Sequence, residues 1–70
     1  MSTTLRTETF RSHVADSSRA AIVETREDGY TVTLGIELDD GEFLCVPGKP
    51  SKQYDLAAAA LRAVTRWISA

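Results

Sequence analysis

The sequence predicts an α+β domain: a four-stranded antiparallel β-meander with one C-terminal α-helix packed on one face. Three observations carry that prediction. Five apolar side chains, Tyr30, Val32, Leu34, Ile36 and Leu38, alternate with Thr31, Thr33, Gly35, Glu37 and Asp39. A period of two is the signature of a strand with one dry face and one wet face. Asp28-Gly29 precedes this run and Asp40-Gly41 follows it, and Asp-Gly is a strong short-hairpin signal. Near the C-terminus the period changes: Ala57, Ala60, Leu61, Val64, Trp67 and Ile68 follow the spacing of one apolar helix face.

The elements follow in order. Residues 1–8 are polar, Thr-rich and aperiodic, so fraying is expected there. Phe10, Ser12 and Val14 alternate with Arg11 and His13, which suggests a first strand from about Thr9 to Val14. Asp16-Ser17-Ser18 reads as a turn, because these side chains hydrogen-bond to nearby backbone. Ala20–Glu27, with Ile22, Val23 and Thr25, is a second strand; Tyr30–Leu38 is the third and Glu42–Val46 the fourth. Pro47-Gly48-Lys49-Pro50 cannot sustain a ladder, so 47–54 reads as loop. Asp55 is a plausible N-cap, with Ser51 as an earlier candidate, for a helix over 55–69 whose Ala57–Ala60 stretch has the best helix propensity.

If both Asp-Gly dipeptides are two-residue hairpin loops, the register can be written down. Val23 then opposes Leu34 and Ala21 opposes Ile36; Leu38 opposes Phe43 and Ile36 opposes Cys45. Leu61, Val64, Trp67 and Ile68 would close the core from the helix.

Seventy residues make a single domain, with 43% hydrophobic and 26% charged residues, ordinary values for a globular protein. A chain of this length buries only ~60% of its unfolded surface, so its stability margin is thin. No apolar run approaches the roughly 20 residues that span a bilayer, so no membrane partner is expected. Met1-Ser2-Thr3-Thr4-Leu5-Arg6 lacks the apolar core of a secretory signal, which makes a cytoplasmic location the expectation.

Few residues are arranged for chemistry. His13 is the single histidine and lacks a second imidazole or a thiolate pair to bind metal with. Cys45 is the single thiol; on the predicted core face it acts as a small hydrophobe. Asp39, Asp40 and Glu42 at a hairpin tip fall short of the roughly six oxygen ligands that calcium takes. Gly29, Gly35, Gly41 and Gly48 are scattered and form no phosphate-binding loop. No nucleophile–base pair can be argued, so neither an enzyme nor a cofactor is expected.

Charge divides the chain. Glu24, Glu27, Asp28, Glu37, Asp39, Asp40 and Glu42 face only Arg26 in the sheet segment; after Val46, Lys49, Lys52, Arg62 and Arg66 face only Asp55. The net charge is −2. Sheet-plus-helix domains that bind DNA, such as the AP2-type domains, carry cations and aromatics on the exposed sheet face. Here that face is acidic, which argues against phosphate contact.

The expected function is a non-enzymatic interaction module. Its surface would be the exposed sheet face, where Ile22, Gly35, Leu44 and Val46 fall side by side under the predicted register. The partner would be another protein or a second copy. The alternative is a weak nucleic-acid-binding accessory protein using Lys49, Lys52, Arg62 and Arg66.

The β-meander, the helix start at Tyr54-Asp55, the alanine-rich helix and the closing Arg66-Trp67-Ile68 resemble a group of small uncharacterised bacterial proteins, chiefly over residues 30–68. The resemblance implies the same fold and a bacterial, cytoplasmic setting, and it transfers no site residue.

Overall fold

Strands β1 (Thr4–Arg11), β2 (Arg19–Arg26), β3 (Gly29–Glu37), β4 (Phe43–Cys45) and β5 (Lys52–Tyr54) precede a single helix, α1 (Ala57–Ile68), in the computed structural model. The structure describes residues 3–70. The strands form one antiparallel sheet in the order β1-β2-β3-β4, and β5 also pairs with β3. The two short strands share one edge of β3: β4 lies along Gly35–Glu37 and β5 along Tyr30–Val32.

α1 covers one face. Ala60 and Val64 are buried against Ala21, Val23 and Val32, and Phe10, Tyr30, Leu34, Tyr54, Trp67 and Ile68 pack around them. Sequence periodicity named Ala60, Val64, Trp67 and Ile68 on the inward helix face, but placed Ala57 and Leu61 there as well, and both are exposed. Leu61 is 47% exposed. Successive helical residues are about 100° apart, so the face centred on Ala60 and Val64 leaves Leu61 at its margin.

The first hairpin is offset by two residues from the expected register. Arg26 opposes Gly29, Val23 opposes Val32 and Ala21 opposes Leu34, with Glu27-Asp28 as the loop. An even offset preserves the face of each side chain, so Ala21 and Val23 point inward as expected.

The second hairpin is offset by one, and an odd offset turns the strand over. Its loop has three residues, Asp39-Asp40-Gly41. Gly41 N–H donates to Leu38 O at 2.9 Å and Leu38 N–H to Glu42 O at 2.7 Å, closing a tight turn into a three-residue hairpin. Gly41 has φ of 87°, the left-handed conformation this loop type requires at its third position. Gly35 therefore opposes Cys45, Ile36 opposes Leu44 and Glu37 opposes Phe43. Cys45 is exposed rather than part of the core.

Three element boundaries also differ. β1 begins at Thr4, within the segment expected to fray, and ends at Arg11. His13 and the 45%-exposed Val14 lie in the following loop. Residues 52–54, expected as loop, form β5. The helix N-cap is Leu56, without a side-chain cap bond, so Asp55 lies one position too early for that role.

The C-terminal end of α1 is tied to the sheet by polar groups. Trp67 Nε1 donates to the carbonyls of Ala20, at 3.1 Å, and Gly35, at 3.0 Å. Ser12 Oγ donates to Ile68 O, and Arg19 Nη1 to Trp67 O at 3.3 Å. These side chains satisfy carbonyls that a helix end leaves without partners. No described helix is long and apolar enough to cross a membrane.

Candidate functional site

The sheet-face patch expected from Ile22, Gly35, Leu44 and Val46 does not form. Ile22 and Gly35 lie on the face away from α1, but Leu44 shares the opposite face with its partner Ile36. Val46, whose N–H donates to Leu34 O, continues the register of Leu44. The cause is the third loop residue at Gly41, which turns β4 over. Gly35 is buried, and a Cβ there would run into the Phe43 ring and the Leu44 carbonyl. The close approach anticipated over Gly35 is thus made by the chain's own Phe43.

The basic residues, in contrast, converge. β5 pairs Lys52 with Val32 and Tyr54 with Tyr30, so both side chains emerge on the face that carries α1. Thr33 Oγ1 and Ser51 Oγ share a hydrogen bond of 2.6 Å that holds the strand's approach. Pro47 and Gly48 turn the chain before it, and Lys49 N–H donates to Val46 O at 3.1 Å. On α1, Arg66 follows Arg62 by one turn.

Between α1 and the 48–54 segment lies a groove of about 280 Å³, lined by Lys49, Lys52 and Arg66 over a floor that includes Leu34, Tyr54 and Ala63. Arg62 adjoins it in a cleft shared with Tyr54 and Arg66. At its other end Arg19 and Trp67 line a depression with Lys49 and Arg66. Among the described residues the ion pairs are Arg6–Glu8, Arg11–Glu37 and Arg26–Glu24, so none of the groove's five cations is neutralised by a carboxylate.

The groove brings together the four basic residues singled out in the sequence and adds Arg19. Sequence reasoning missed Arg19 because the predicted strand began one residue later, at Ala20, whereas β2 begins at Arg19 itself. Pairing of β2 with β3 sets it opposite Ile36, on the helix side. Its guanidinium lies over the Trp67 ring, 4.1 Å from the centroid, and Lys49 Nζ lies 5.5 Å from the same centroid. The opposite sheet face keeps its acidic character. There Arg11 makes two hydrogen bonds to Glu37, at 2.6 and 2.9 Å, and these hold the Glu37 carboxyl below the usual carboxylate range.

No group of three or more His, Cys, Asp or Glu among the described residues is placed to hold a metal ion. No protein-family model, curated protein or solved structure matches the chain. The resemblance drawn from Tyr54-Asp55 and Arg66-Trp67-Ile68 therefore stays an expectation.

Proposed function

We propose that this protein is a non-enzymatic interaction module that binds an acidic segment of another protein in the groove between α1 and β5. The observation that carries this reading is the convergence of Lys49, Lys52 and Arg66, with Arg19 and Arg62 beside them, without a neutralising carboxylate. Unpaired cations around a concave surface raise the local concentration of anions and steer them in. The groove, about 280 Å³, is smaller than a typical small-molecule pocket. It suits a few carboxylate side chains of an extended peptide.

Single-stranded nucleic acid is the second reading, since phosphates would be drawn to the same cations. Sequence-tolerant binding of that kind relies on aromatic faces open to the bases. The Trp67 ring carries Arg19 over it, has Lys49 alongside, and has its N–H spent on two backbone carbonyls. That arrangement favours the acidic peptide.

The test is fluorescence anisotropy with a labelled oligoglutamate peptide and a labelled single-stranded oligonucleotide. Peptide binding that weakens as salt rises, and is lost in a Lys49→Glu/Arg66→Glu double variant, supports the reading. Tighter binding of the oligonucleotide moves the assignment to nucleic acid. No binding of either at low salt removes the groove as a site.

A further inference from the structure

β1 is the outer strand on its side of the sheet and pairs with β2 alone. Ser12 N–H donates to Arg19 O at 3.0 Å, which marks Ser12 and Arg19 as a hydrogen-bonded pair at the end of the β1–β2 ladder. Such pairs alternate, so Phe10, Glu8 and Arg6 direct their backbone groups toward β2. Thr7, Thr9 and Arg11 direct theirs outward, where no strand of the described chain meets them. All three are exposed. An outward row of N–H and C=O groups is a template for a further strand.

We propose that two copies of this chain pair β1 with β1, antiparallel about a two-fold axis through Thr7, to make one continuous sheet. Two constraints select that register. The outward-facing groups belong to odd-numbered residues, so odd residues must oppose odd residues. A two-fold pairing of this strand then centres on Thr7, Glu8 or Thr9. Centring on Glu8 sets two glutamates directly opposite each other, which is repulsive. Centring on Thr9 sets Glu8 against Phe10 and Thr7 against Arg11. Centring on Thr7 sets Arg6 of each copy opposite Glu8 of the other, so the contact is complementary twice over.

Arg6 and Glu8 already lie on one side of the strand, 3.1 Å apart, with the Arg6 side chain 69% exposed and the Glu8 side chain 42% exposed, and both can turn to a facing strand. Leu5 sits at the register shift between Thr4 and Arg6 and is 62% exposed. It lies at the end of this overlap, opposite Thr9 of the other copy, and gains cover there. β2 and β3 separate this edge from β5, and none of Arg6, Thr7 and Glu8 lines the groove, so the dimer stands or falls independently of that reading.

Sedimentation equilibrium over a wide concentration range tests the dimer, with circular dichroism as the check on folding. The wild type should dimerise. Glu8→Arg, which sets cations opposite each other, should weaken the dimer about tenfold or more, and Arg6→Glu combined with Glu8→Arg should restore it. Thr7→Pro should also yield monomer, because it removes an outward N–H and spares the bonds to β2. A wild type that is monomeric throughout overturns the proposal. So does a dimer indifferent to both Glu8→Arg and Thr7→Pro.

Discussion

Arg19 Cζ lies 4.1 Å from the centroid of the Trp67 ring, and Arg19 Nη1 donates to the Trp67 carbonyl at 3.3 Å. One side chain from the start of β2 thus covers the ring and caps the end of α1. The ring's own N–H reaches Ala20 and Gly35 on adjacent strands. The last turn of the helix is therefore held by polar bonds as much as by apolar contact.

Loss of this arrangement should be costly in so small a domain. Arg19→Ala should destabilise by about 1–2 kcal/mol, from a cation–π contact and a hydrogen bond together. For this chain length that corresponds to a fall in melting temperature of several degrees. Trp67→Ala should cost more, about 3–5 kcal/mol. Thermal denaturation followed by circular dichroism checks both, and Arg19→Ala as damaging as Trp67→Ala would contradict the division of roles.

The turned-over β4 predicts the behaviour of Cys45. With Ile36 opposite Leu44, the thiol is exposed on the sheet face. It should react with a thiol-specific reagent in the native protein at nearly the rate seen after unfolding. Strong protection in the native state would mean the two-residue loop and its register were right.

Arg11 and Glu37 link β1 to β3 across the end of β2. The hydrogen bonds from Arg11 hold the Glu37 pKa below its ordinary value. A depressed carboxylate contributes stability above its unfolded-state pKa and loses it as pH falls through the lowered folded-state value. Carbon-detected NMR titration should find Glu37 titrating low, and Arg11→Gln should return it to the ordinary range. A Glu37 midpoint unmoved by Arg11→Gln would contradict the link.

Much of the fold was legible in the sequence. The alternation from Tyr30 to Ile36 and the stripe through Ala60, Val64 and Trp67 each recorded a covered face, although the last member of the alternating run, Leu38, is exposed. The site was less legible. The expected sheet-face patch depended on whether the loop before Glu42 had two residues or three, and Asp-Gly serves in both. That one residue separated Leu44 from Ile22 and exposed Cys45. Lys52-Gln53-Tyr54 is too short for periodicity to distinguish strand from loop, and its pairing with β3 comes from tertiary contact. The basic residues were visible as a composition shift, but their convergence needed β5 in place. Arg19 carried no local signal, because its role depends on a tryptophan 48 residues away.

The most direct test of the cationic groove as the binding surface is an amide chemical-shift map on addition of oligoglutamate at low salt. The account predicts perturbations at Lys49, Lys52, Ala63, Arg66 and Arg19, fading as salt is added, with Ile22, Thr33 and Cys45 on the opposite face unmoved. Perturbations centred on Ile22 and Cys45, with the groove silent, would contradict it.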